Sequence, residues 1–264
     1  MLKKLKELLR RDPEQFRIPR SVQEVIPIRT VWKSGIFLVG SNRYSRTWQF
    51  SDINYALAGE EDQKSMLLGY SGLLNLCDSN ASTKFSVVTR KLNRRDFEDY
   101  IMIPYANDGH DHYRREYNAM LLEKASHASG MIRDLYITVT VTRKSYKDAE
   151  SYFVRAGAEF TLALSRLGSR CTELDMMDRL RALHGFYRHG EEADFHFDPA
   201  LSMKLGHSFQ DYICPDSFEF DRDHFRMGDR YGRVLFLKDY AAYLRDDILS
   251  VSYTHLTLPT NSLV

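Results

Sequence analysis

The densest group of side chains able to do chemistry is Asp108, His110, Asp111 and His112, two carboxylates and two imidazoles within five positions. Imidazole nitrogens and carboxylate oxygens are ordinary ligands of zinc and related divalent metals. On a strand, a His-x-His pair would present both rings on one face. Asn107, Asp108 and Gly109, however, mark a loop that leads into a helix, where Asp108 or Asp111 makes a natural cap. The structural reading is the stronger one, because a metal site shows further matched ligands. His184, His189 and His196, with Asp194 and Asp198 nearby, are a looser group between a helix end and an extended segment. A histidine near a helix C-terminus already complements the dipole and needs no metal. Cys171 lacks an adjacent basic partner, and no Ser, His and Asp set can be assigned from order alone. Gly228 to Gly232 is too short for a phosphate-cradling loop, and Arg233 and Val234 follow where Lys and a hydroxyl belong. No residue is therefore assigned as catalytic, cofactor-binding or metal-binding.

Arg43, Tyr44, Arg46 and Trp48 alternate basic and aromatic side chains, a pattern that grips phosphates and stacks bases in a nucleic-acid-binding module. As a solvated strand face with snorkelling arginines it needs no ligand. The overall charge gives nucleic acid no help, since 37 Lys and Arg stand against 36 Asp and Glu.

A chain of 264 residues can bury one large core or two modest ones without staples. Its three cysteines, Cys77, Cys171 and Cys214, are widely separated and odd in number, as expected of free thiols in a reducing compartment. No apolar run approaches the ~18 residues of a spanning helix, and the N-terminus has no signal-peptide core. A cytoplasmic address is expected.

The elements that must position these groups read as follows. Met1 to Arg11 is a short amphipathic helix candidate with Leu2, Leu5, Leu8 and Leu9 on one face, followed by a linker to about residue 20. Val25 to Trp32, Gly35 to Gly40 and Arg43 to Phe50 predict a meander of three strands, with turn residues between them. A short turn from Ser51 to Leu57 is closed by Gly59. A helix over Glu60 to Cys77 follows, with Met66, Tyr70, Leu73, Leu74 and Cys77 inward. Asp78 to Ser82 breaks it and is a point of subdivision. Lys84 to Lys91 predicts a strand, Phe97 to Ile101 a turn, and Tyr113 to Ala125 a helix with Tyr117, Leu121 and Ala125 inward. Ile132 to Thr142 is the cleanest strand, with Leu135, Ile137, Val139 and Val141 on its buried face. Lys147 to Leu167 is the strongest helix, with Phe153, Ala156, Phe160, Leu164 and Leu167 in one stripe and Gly168 as its stop. After a short strand at Arg170 and Cys171, Thr172 and Asp175 form a capping box for a helix through Tyr187, with Met177, Leu180 and Leu183 inward.

Phe218 and Phe220 predict a strand, Val234 to Leu237 its partner after the turn residues Asp229 to Gly232, and Asp239 to Leu249 a helix with an exposed apolar patch near Tyr240 to Leu249. Val251 to Thr260 reads VSYTHLTLPT, and one back-translation looks like a transposon-end adapter used to prepare sequencing libraries. Residues 251–264 are therefore expected to be a sequencing-adapter scar outside the fold. The fold class expected for residues 21–250 is α+β, a mixed, largely antiparallel sheet with helices packed on it, partly ferredoxin-like.

Three stretches carry a resemblance: Phe50 to Tyr70 (FSDINYALAGEEDQKSMLLGY), Tyr113 to Lys124 (YRREYNAMLLEK) and the segment from Cys214 to Leu237. Together they resemble the N-terminal region of the VirB-four-type conjugative-transfer ATPases, the motors of type IV secretion systems, of the kind carried on integrative conjugative elements. The resemblance extends over Met1 to Ser250. It implies a docking and assembly domain at the inner face of the cell membrane, with inner-membrane components of the apparatus and other copies of itself as partners. The family's phosphate loop and Mg-binding carboxylate lie beyond this point of the chain. ATP and Mg are thus expected in a C-terminal motor domain, and no cofactor in this part.

Overall fold

The structure, a computed structural model, describes residues 19–53, 55, 58–91, 102–127 and 131–236. The helix expected over 1–11, the turn expected over 97–101, the helix and apolar patch expected over 239–249, and the scar over 251–264 lie outside these residues.

The Ser21 hydroxyl accepts the Glu24 N–H and opens a single helical turn, α1 (Val22–Val25). Ile26 precedes Pro27, which disfavours helical backbone at that position, and the chain leaves α1 extended. Only β1 (Thr30–Val31) then pairs, so the strand expected over Val25 to Trp32 shrinks to two residues. β2 (Phe37–Gly40) and β3 (Arg43–Phe50) form an antiparallel hairpin, with Asn42 in the left-handed region at its tip.

β3 is the axis of the main sheet. One of its edges pairs residue for residue with β5 (Met131–Thr142), from Arg43↔Thr142 to Phe50↔Leu135. The other edge is shared, first by β2 and then by β6 (Cys171–Glu173). β4 (Ser82–Lys91) pairs the far side of β5, and every pairing is antiparallel. The helix after β3 is α2 (Glu60–Leu74), and the helix between β5 and β6 is α4 (Tyr146–Arg166). The order β6-β3-β5-β4 with these two helices is the split βαβ arrangement of ferredoxin-like folds, so the α+β reading holds. The unit opens at β3 and α2, one strand and one helix before Lys84. α3 (Asp111–His127) is an insertion between the hairpin partners β4 and β5.

Period-2 alternation puts Ile137, Val139 and Val141 of β5 beside Trp48, Arg46 and Tyr44 of β3 on one face. α4 covers that face. Ser145 caps it by accepting the Asp148 N–H, and Gly168 ends it at positive φ. Its buried stripe includes Phe153, Ala156, Phe160 and Leu164, as the spacing predicts, with Tyr152 beside them. α2 lies beside α4, so close at Gly69 that a Cβ there would come 2.6 Å from a Leu167 methyl.

A second core forms on the opposite face of β2. Here α5 (Met176–Tyr187) brings Met176 and Leu180 against Ile26, Ile28, Phe37 and Ile213. Asp175 caps α5 through the Asp178 N–H, while Thr172, expected in that cap, is in β6. After α6 (Pro199–Leu205), a small meander is built from β7 (Phe218–Phe220), β8 (Phe225–Met227) and β9 (Arg230–Gly232). The partner of β7 is thus β8, not Val234 to Leu237. Gly228, at positive φ, and Asp229 make the turn that sets Met227 opposite Arg230, and Val234, Leu235 and Phe236 follow exposed and without regular structure.

Candidate functional site

Of the basic and aromatic alternation of β3, Arg43 is exposed and the other three residues lie in the main core. Tyr44, Arg46 and Trp48 are all buried beneath α4. Glu173, arriving on β6, answers both polar groups: one carboxylate oxygen accepts the Trp48 indole N–H at 3.2 Å and the other takes the Arg46 guanidinium at 2.6 Å. Gly157 on α4 makes room for it, since a Cβ there would stand 2.2 Å from the Glu173 carboxylate. Neither ring is open to a base, and the Arg46 charge is already paired. The arrangement fastens β6 to β3.

Arg179 of α5 is equally buried, on the second face. It donates to the backbone carbonyls of Gly35 (2.7 Å) and Ser45 (2.8 Å) and to the Ser45 hydroxyl, with its guanidinium 3.8 Å over the Phe37 ring. Burial lowers its pKa, and the nearby Arg46 charge adds to the effect. Gly35, at positive φ, lets the Leu174 carbonyl pack directly on its Cα. α5 is thereby clamped to the β2–β3 hairpin by hydrogen bonds to neutral groups.

Asp108, Asp111 and their histidines do not converge on a common point. Both carboxylates close on Arg114, which holds their pKa values well below the ordinary carboxylate range. Asp108 also accepts the His110 N–H, and Asp111 accepts those of Ala106 and Asn107. The His112 ring lies tilted against that of Tyr113. His184 is buried against Phe195, His189 faces Glu192, and His196 meets the Asp194 carbonyl. Among the described residues no group of three or more His, Cys, Asp or Glu is placed to hold a metal ion. All three thiols are free. Burial raises the pKa of Cys171 and Cys214, the opposite of what an activated nucleophile requires.

Among the described residues two polar clefts are lined by several charged side chains. One, of about 210 Å³, lies between α5 and the open face of the sheet, and its charges pair with one another: Arg90 with Asp134, and Arg181 with Asp178. The other, of about 460 Å³, separates the end of α5 from the small meander. Arg188 is fixed there by Glu191 (2.7 Å), Asp216 (2.6 Å) and the Cys214 carbonyl. Arg90–Asp134 and Arg188–Asp216 link segments distant in sequence, whereas Arg181–Asp178 and Arg188–Glu191 are pairs three residues apart.

What stands out instead is apolar surface. α2 buries Leu73 but exposes Leu67, Leu68, Tyr70 and Leu74, although Tyr70 and Leu74 were expected inward. The reason is Gly69, whose lack of a side chain turns a different stripe of the helix toward α4. On α3, Tyr113, Tyr117 and Met120 are exposed, whereas the polar Asn118 is buried. Its amide accepts the Ile103 N–H and donates to the Ile103 carbonyl, both at 2.9 Å, pinning the preceding segment along the helix. Glu173, Arg179 and Asn118 have no motif around them, and no signal in the sequence marks them. Among the described residues no helix is long and apolar enough to cross a membrane. Comparison with family models and with curated proteins returned no match.

Proposed function

We propose that this chain is the N-terminal docking and assembly domain of a VirB-four-type conjugative-transfer ATPase. In this reading it contacts inner-membrane components of a type IV secretion apparatus at the cytoplasmic face of the membrane. The observation that carries the reading is the ordered resemblance of Phe50 to Tyr70, Tyr113 to Lys124 and the stretches PDSFEF and FRMGDRYGRVLFLKDY. The apolar side chains left open on α2 and α3 support it, because contiguous exposed apolar surface is what partner proteins cover. ATP and Mg would then belong to a separate motor domain, and this chain would hold no nucleotide itself.

Two measurements test this. Calorimetric titration of the chain with Mg-ATP is expected to give no saturable heat, and micromolar binding would overturn the reading. Membranes carrying the inner-membrane components of a conjugation apparatus are expected to retain the chain, and Leu68→Glu with Tyr117→Glu to release it. Equal retention on membranes lacking those components would count against a docking role.

A further inference from the structure

We propose that the outer edge of β4, with the adjoining flank of α2, joins two copies of this chain edge to edge into one continuous sheet. Among the described residues β4 pairs with β5 alone and ends the sheet. Its ladder runs without a register shift from Ser82↔Thr140 to Lys91↔Met131, and the strand holds no proline. An edge this long and unbroken is a template for another strand.

The helix layer above the edge is unfinished in the same place. Val87 is 49% exposed beside Phe85, whose ring lies 5.8 Å from that of Tyr70. Leu67 and Leu74, exposed by 60% and 47%, flank Tyr70 on α2. Gly69 marks the flank that touches α4, and Leu67 and Leu74 lie about 140–160° around the helix from it. They therefore overhang the β4 edge. Leu67, Tyr70, Leu74 and Val87 extend the surface that a symmetric pair would cover beyond the strands themselves, toward the ~1,000 Å² where specific interfaces begin.

Symmetry selects the register. Two identical edges meet about a two-fold axis, so the contact is isologous. Because directly opposed residues of an antiparallel pair share a face, the axis passes beside one residue and its copy, and both helix layers lie on one side of the joined sheet. Centred on Val87, the pairing would set Lys84 opposite Arg90 of the second copy. Centred on Ser86, it sets Phe85 opposite Val87, Thr83 opposite Thr89 and Lys84 opposite Val88. It spans Ser82 to Arg90 with no like charges directly opposed. Aromatic–β-branched and Thr–Thr pairs are the favourable cross-strand combinations. Arg90, diagonal to Lys84 of the second copy, is already paired with Asp134 at 2.9 Å.

The test uses the full chain in two arms. Sedimentation velocity is expected to show a dimer, and Val87→Lys with Leu67→Glu to raise its dissociation constant by on the order of 100-fold with unchanged circular dichroism. Under mild oxidation Ser86→Cys, on the axis, is expected to cross-link between copies, while Thr89→Cys, which faces Thr83, is not. A chain that stays monomeric to about 1 mM, or a dimer indifferent to the paired substitution, overturns the inference. So does cross-linking at Thr89→Cys in place of Ser86→Cys. If Ser86→Cys fails to fold, the sedimentation arm decides alone. Self-pairing needs no component of a secretion apparatus, so a monomer would leave the docking proposal standing.

Discussion

Replacing Glu173 removes the one group that satisfies both Arg46 and Trp48. In Glu173→Ala the buried indole N–H loses its acceptor, a loss of about 1–3 kcal/mol. The Arg46 side chain, only 10% exposed, keeps its charge without a carboxylate. Breaking one side of a fully buried pair costs about 3–5 kcal/mol, but Glu173 is 40% exposed and water can reach the gap, so the loss here falls below that range, at about 1–2 kcal/mol. We expect a combined loss of about 3 kcal/mol, read as a drop in melting temperature of about 6–12 °C. Glu173→Gln keeps an acceptor and should lose about 1 kcal/mol. Gly157→Ala reaches the same site from the other side: its Cβ would force the carboxylate off both partners, offset by the better helix propensity of Ala, for a net loss of about 2 kcal/mol. The two substitutions must therefore be strongly non-additive. With Glu173→Ala already present, Gly157→Ala should be nearly neutral. Urea unfolding of the four proteins decides it. Glu173→Ala within about 0.5 kcal/mol of the parent, or a Gly157→Ala cost that is the same with and without Glu173, would refute the bridge.

Arg179→Met should leave the Gly35 and Ser45 carbonyls without their donor and destabilise the chain by about 3 kcal/mol, with loss of amide protection concentrated in the β2–β3 hairpin. Burial holds the folded His184 below its ordinary value of 6.5, with Arg188 contributing. As pH falls through that value the unfolded chain takes up the proton first, so stability rises with pH, and the urea midpoint should fall between about pH 7.5 and 5.5. His184→Leu should flatten that slope; an unchanged slope would mean the ring titrates as it does in the unfolded chain. Asn118→Ala should cost about 1–3 kcal/mol of local stability, seen as faster hydrogen exchange at Ile103 and along α3 with the main sheet unaffected.

The legible parts of the fold were those whose apolar period is uninterrupted. β5 and α4 show their buried faces directly, because Ile137, Val139 and Val141, and Phe153, Ala156, Phe160 and Leu164, keep the periods of 2 and 3.6. β3 was placed correctly as a strand, but its alternation of Arg and Trp suggested a wet surface. The residue that makes burial tolerable, Glu173, is 127 positions from Arg46, on a strand of three residues. α2 misled for a related reason: a close approach at Gly69 outweighs a leucine-rich stripe, and no periodicity reports where a helix lacks a side chain. In the small meander, three-residue strands give too few repeats to rank, so the longest apolar run, Val234 to Leu237, drew the pairing that belongs to Phe225–Met227. The histidine and carboxylate groups read as structural because their spacing offers no third ligand, and at 108–112 both carboxylates turn to Arg114.

Lys91 and Met131 face each other as the last rung of the β4–β5 ladder. The ladder therefore registers where the chain departs from the sheet and where it returns. Such a handle can carry tools of different length and shape without disturbing the hand that holds it. Descendants of this chain are free to vary α3 and its neighbours quickly while the sheet, fixed by its own rungs, changes slowly.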